Sequence, residues 1–232
     1  AAYEQDPAGP LANDFRRGSF GDATEATRAR DLNSGANFRR ARIGIEGKAF
    51  GDFDYALIGE FGGSGVEEGG RINDFWVQYS GIDRIRLRVG AFAPPTGLEE
   101  VVSTNGSLFL ERASPAETVR AIAGGDGRTG VGVFSNGDSW NVSGVITGQV
   151  IGSQNFDEQL AFVGRAAYVP FRRDDALIHL GANTTVVLQP ADAGPDATGA
   201  RYALRLRDRP ELRVDGTRLV DTNNIDADGL YT

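Results

Sequence analysis

The chain has 232 residues, 32 of them glycine, with a single lysine at Lys48, no cysteine, no methionine and a formal net charge of −8. Without cysteine there is no thiolate catalysis, no disulfide framework and no sulfur-ligated metal, and an acidic chain is a poor partner for a nucleic-acid backbone. No run of eighteen apolar residues occurs, which excludes a helical membrane span, and the start lacks the basic-then-apolar pattern of a retained signal peptide.

Residues 1–36 are polar, charged and glycine-containing, and read as a loop following a truncated first strand, with a folded unit from 37 to 232. From Phe38 onward, short segments with period-two alternation follow one another and predict an all-β chain. In the first, Ala41, Ile43, Ile45 and Ala49 share a face opposite Arg40, Arg42, Glu46 and Lys48. After a turn at Gly51-Asp52, Phe53, Tyr55, Leu57 and Phe61 oppose Asp54, Ala56, Ile58 and Glu60. Next, Phe75, Val77 and Tyr79 oppose Asp74, Trp76 and Gln78. A tight link at Gly81-Ile82-Asp83 then leads to Ile85, Leu87 and Val89 opposite Arg84, Arg86 and Arg88. Later strands are expected near 128–135, 140–149, 159–169, 176–188 and 201–208. Residues 209–229 read as an extended loop or as a hairpin turning at Asp215-Gly216.

Short turns near 51, 81, 136 and 171 alternate with longer links at 62–70, 93–127, 150–158 and 189–200. Transmembrane β-barrels sort their connections in this way, short turns on one side of the membrane and long loops on the other. The alternation by itself also fits a soluble β-sandwich whose ionic face binds acidic glycans. Energetics favours the barrel: an arginine facing lipid near the bilayer midplane costs ~2–4 kcal/mol, so Arg84, Arg86 and Arg88 must face water. The opposite face then meets hydrocarbon, with aromatic residues near its strand ends.

The successions FRRARIGIEGKAFGDFDYALIGEF and RINDFWVQYSGIDRIRLRVGAFAPPTGLEEVVSTNGSLFLERASP, followed by GRTGVGVF, GRAAYVPF, ALIHLGA and RPELRVDGTRLVDTNNID, resemble the phosphate-selective porin O and P family. The resemblance implies a transmembrane antiparallel barrel of sixteen strands, of which this chain would supply nine or ten, both ends reading as interrupted strands. It implies a homotrimer in the outer membrane of a Gram-negative bacterium, in contact with lipid, without cofactor or catalysis. Residues 93–127 match the third external loop, which folds inward and narrows the pore near Glu99, Glu100, Arg112 and Arg120. Glu99 and Glu100 would anchor that loop to wall arginines. Arg40, Arg42, Arg84, Arg86, Arg88 and Arg165 match lumen-facing positions, and Lys48 shares that face. The segment 93–127 contains no lysine, a departure from the pattern of the tight phosphate binders.

The expected function is passive diffusion of small, phosphate-like inorganic anions along an arginine-lined pore. Rungs ~6.6–6.8 Å apart would let an ion step between guanidinium forks. Salt bridges to Glu46, Asp54, Glu60 and Asp74 would instead give a general, weakly selective porin. His179 has no partners for a triad or a zinc site. The glycines of 124–132 echo a phosphate loop without its GK[ST], and the pairs Glu67-Glu68 and Asp174-Asp175, like the set Asp221, Asn223, Asp226 and Asp228, read as loop carboxylates rather than metal ligands.

Overall fold

The computed structural model describes residues 38, 40–62, 70–102, 106–109, 111–208 and 220–227. The expectations for residues 1–36, for Glu67-Glu68, for Asp215-Gly216 and for Asp228 lie outside these. Eight strands form one antiparallel meander in which each strand pairs only with its neighbours in sequence: β1 (Arg42–Ala49), β2 (Phe53–Glu60), β3 (Arg71–Ile82), β4 (Ile85–Phe92), β5 (Arg128–Asn136), β6 (Trp140–Val150), β7 (Leu160–Arg172) and β8 (Leu177–Gln189). Lengths of eight to thirteen residues suit tilted transmembrane strands, which need about 9–11.

In a meander every odd-to-even connection falls at one end of the sheet and every even-to-odd connection at the other. The turns β1–β2, β3–β4, β5–β6 and β7–β8 are short and share one end, and the long links share the opposite end. The sorting of connections by length is therefore physical. Tight reversal is achieved by left-handed backbone at Phe50 and Gly51 (φ 53° and 81°) and at Arg84 (φ 58°).

Registers carry the alternation across the whole sheet. One cross-strand row runs Gly47, Tyr55, Val77, Val89, Val131, Ile146, Phe162, Val186, and the row beside it on the other face runs Lys48, Asp54, Gln78, Arg88, Gly132, Val145, Val163, Thr185. The apolar face is the open one: Ile43 is 70% exposed, Leu87 41%, Val89 56% and Val131 59%. No second sheet covers it among the described residues, so the β-sandwich alternative is overturned. A contiguous apolar face of this size is stable only against hydrocarbon or another apolar partner. Phe53 and Tyr79 pack at a tilt at its short-turn end, centroids 5.2 Å apart, with Trp140 and Tyr168 on the same border, where a transmembrane barrel carries an interfacial aromatic girdle.

The ionic face is covered by the link between β4 and β5. It contains two helices, α1 (Leu98–Val101) and α2 (Ser114–Ala123). Pro115 in the first turn of α2 loses no hydrogen bond there, and Glu117 and Arg120 lie at the ends that the helix dipole favours. Ala123 and Ile122 pack on Ala161, Val163 and Val187 of β7 and β8, the one dry cluster on this face. The segment thus folds inward over the wall, as expected. Neither helix is long or apolar enough to cross a membrane, which bears only on helices.

The stretch 201–208 departs from expectation. It forms no ninth wall strand; Ala203–Leu204 pairs with Ile225–Asp226, and Arg207–Asp208 with Val220–Asp221. The reason is local pairing of its cations: Arg201 lies 2.7 Å from Asp192, and Arg205 closes on Asp221.

Candidate functional site

The ionic face beneath the inward segment carries two populations of arginine. The first is neutralised. Arg40 reaches Glu111 at 3.0 Å; Arg42 lies 2.7 Å from Glu60 and 3.3 Å from Asp126. Arg112 lies 3.3 Å from Glu100, and Arg120 faces Glu100, Glu117 and Asp126 at 2.9, 3.1 and 3.6 Å. Four arginines thus meet five carboxylates at the long-link end: Arg40 pairs with Glu111, and Arg42, Arg112 and Arg120 join Glu60, Glu100, Glu117 and Asp126 in one network. Its charge is balanced or slightly acidic.

Burial pushes the Glu100 carboxyl up, and Arg120 and Arg112 offset this only in part. Burial also works against the charges of Arg120 and Asp126. Glu100, Asp126 and Glu117 nevertheless raise the Arg120 guanidinium above its ordinary range. Four cations, Arg120, Arg42, Arg71 and Arg112, hold Asp126 below the usual carboxylate range.

The anchoring expected of Glu99 and Glu100 is corrected by this geometry. Glu99 accepts from the backbone N–H of Ala113 at 2.8 Å, and its carbonyl accepts from Arg112 at 3.0 Å; Glu100 pairs with Arg112 and Arg120. Both hold the segment to itself, because the helices turn their acids toward each other rather than toward the wall. Wall contact is made by Arg40 with Glu111 and Arg42 with Asp126. Asp126 sits among turn glycines, Gly125 at φ 94° and Gly127 at φ 68°, which accounts for the glycine run that echoed a phosphate loop. Long-range pairing of Glu111 and Asp126 leaves no periodic trace in the sequence.

The second population, Arg86, Arg88 and Arg165, has no carboxylate within 4 Å among the described residues. Arg86 donates to the Asn136 side chain. Arg88 donates through Nε and Nη2 to the Gln78 side-chain oxygen, at 3.1 and 2.9 Å, and stacks on the Trp76 ring with its central carbon 4.1 Å from the centroid. Arg165 is only 6% exposed and lies opposite Ser143 and Asn183 in register. The Ser143 hydroxyl is itself buried without a hydrogen-bond partner.

Arg84 is corrected as a ladder rung. It lies in the β3–β4 turn, where its left-handed backbone removes it from the strand and its guanidinium lies 3.7 Å from Asp83. Two rungs, Arg86 and Arg88, remain on β4. Lys48 stays on the ionic face, 3.6 Å from Asp54. His179 stands on exposed β8 beside Gly181, and no cluster of metal-ligating side chains occurs among the described residues. Residues that the alternation did not single out include Arg128, buried at the start of β5 and bound to the carbonyls of Gly124 and Gly148 and to Gln159. It shares the parity of Gly130 and Gly132, so strand phase pointed to it.

A strand wall that is apolar on its open side, ionic on its covered side, with connections sorted by length and one long link folded inward, defines a β-barrel porin. The family model described as phosphate-selective porin O and P matches residues 15–229, and the chain belongs to that family. Among curated proteins it is similar to Porin O of Pseudomonas aeruginosa, 26% identical over 150 residues, which are 64% of this chain and 34% of that protein. The chain thus spans about a third of the length of the curated relative it matches.

Proposed function

We propose that this chain forms part of the wall of a passive outer-membrane channel of a Gram-negative bacterium, and that the channel prefers small anions, phosphate-like oxyanions among them. The observation that carries the anion preference is the set Arg86, Arg88 and Arg165: three guanidiniums on the covered face that form no ion pair within 4 Å among the described residues, Asp74 and Asp54 acting on Arg88 only from farther away. Such groups stay charged at any physiological pH and offer forked donors to an oxyanion. Spread over β4 and β7 they attract without forming one deep well, the condition for conduction. Lysine is missing from the inward segment, so any phosphate binding rests on arginine forks. Closure of the wall into a sixteen-strand barrel, a homotrimer and the absence of any catalytic role are part of the same reading, supported by family membership.

Planar-bilayer reversal potentials of the full-length protein in a potassium chloride gradient test it. Chloride permeability should exceed that of potassium and fall when Arg86 and Arg88 are replaced together by glutamine. A second reading, a general porin of weak selectivity, draws on the balanced network around the inward segment. It expects a permeability ratio near one, insensitive to both substitutions.

A further inference from the structure

Among the strand aromatics, Phe53, Tyr55, Phe75 and Tyr79 face the open side. Trp76, Phe92 and Phe134 face the covered, ionic side, and all three surround Arg88: its guanidinium carbon lies 4.1, 5.3 and 5.0 Å from their ring centroids. Phe92 is buried as a floor, 1% exposed, and touches Phe134 edge-on at 6.2 Å; Trp76 and Phe134 remain partly open. Gln78 occupies the Nε side of the guanidinium with one oxygen. The terminal fork, Nη1 with the outer proton of Nη2, has no acceptor among the described residues.

The rings hold the Arg88 guanidinium by cation–π contact, and Trp76 and Phe134 also keep part of their surface open toward the covered side. A guanidinium set among rings, with its terminal fork free of acceptors among the described residues, matches a carboxylate carried on a planar apolar body. The fork takes both carboxylate oxygens while the adjacent ring faces take the body. Resting on the anion-channel reading above, we propose that Trp76, Arg88 and Phe134 form a stacking station for aromatic carboxylates, which the channel takes in preference to aliphatic ones of the same charge.

The test is block of chloride current through the full-length protein in planar bilayers by benzoate and by acetate. Benzoate should block at about 3- to 10-fold lower concentration, the range expected of one ring contact. Trp76→Leu should remove most of that difference, whereas Trp140→Phe, on the open face, should leave it unchanged. Equal block by the two anions, or a benzoate advantage that survives Trp76→Leu, overturns the station while leaving anion preference intact. A chloride-to-potassium ratio at or below one defeats the anion reading itself. A second measurement follows Trp76 itself, whose signal is the difference in tryptophan fluorescence between the native full-length protein and Trp76→Leu. Its fluorescence should be quenched by nitrobenzoate at concentrations well below those required with nitromethane; equal quenching by both contradicts the station.

Discussion

Arg42, the first residue of β1, reaches across to Asp126 at the end of the inward segment, Nη2 to Oδ2 3.3 Å, while its Nε holds Glu60 at 2.7 Å. One side chain therefore joins a wall carboxylate to a loop carboxylate separated by more than sixty residues. The inward segment is latched at this point and at Arg40–Glu111, and also meets the wall where Arg128 donates to the Gly124 carbonyl and at the small dry contact of Ala123 and Ile122.

Asp126→Asn should weaken the latch, since it leaves Arg42 and Arg120 short of a partner in a mostly buried place, at a cost of about 1–3 kcal/mol. The expected readouts are a lower temperature for the heat-modified shift on a gel and a larger, noisier single-channel conductance. Glu100→Gln should cost less, within about 1 kcal/mol, because desolvation already offsets much of what that buried carboxylate gains from its arginines.

The same latch sets a pH dependence. Asp126 has a folded-state pKa below its ordinary value of 3.8. The stability it contributes is therefore fully present above the unfolded value and is lost only as pH falls through the lower folded one. Native stability should change little through this group between pH 7 and 5, and Asp126→Asn should narrow its gap to native protein only in stronger acid. Denaturant midpoints for both proteins across that range check the sign.

Much of the wall was legible from residues because strand phase is local. Period-two alternation from Ile43 to Val187 gave all eight strands and the side on which Arg86, Arg88 and Arg165 lie. Arg84 escaped because a hairpin closing one residue later than expected places it at a left-handed turn position, a shift that alternation does not register. The partners of Arg40 and Arg42 also escaped: Glu111 and Asp126 sit in a link whose path depends on packing over the wall, and contacts so distant in sequence have no periodicity. The stretch 201–208 alternates weakly, and Asp192 and Asp221 capture its arginines before it can extend the sheet.

Arg165 has no carboxylate within 4 Å among the described residues, and its guanidinium nitrogens are not sealed from solvent, so Arg165→Gln should change stability by less than about 1 kcal/mol. The same change should lower the chloride-to-potassium ratio. Reversal potential should thus move while unfolding, measured on the same preparation, stays nearly unchanged; a clear loss of stability would show that the guanidinium has a structural role.

Gly90 has φ 136°, and a Cβ there would lie 2.2 Å from the Phe75 carbonyl oxygen and 2.6 Å from the Trp76 Cα. Gly90→Ala must push β3 and β4 apart, and should destabilise the wall by about 1–3 kcal/mol. Gly51, also left-handed but in open space, carries no such clash. Gly51→Ala should cost about 1 kcal/mol, from backbone strain alone. Folded yield and the heat-modified shift separate the two.

Every role assigned to the wall depends on which of its sides meets hydrocarbon. These 232 residues contain no cysteine, so once any cysteine elsewhere in the full-length protein is replaced, nitroxide labels placed singly at Val89→Cys, Val131→Cys and Arg86→Cys in the reconstituted protein report each position without background. Labels at 89 and 131 should collide with dissolved oxygen and be shielded from a water-soluble nickel chelate, while the label at 86 should show the opposite preference. Water access at 89 and 131 together with oxygen-rich, chelate-free surroundings at 86 would contradict the assignment of faces, and with it the channel.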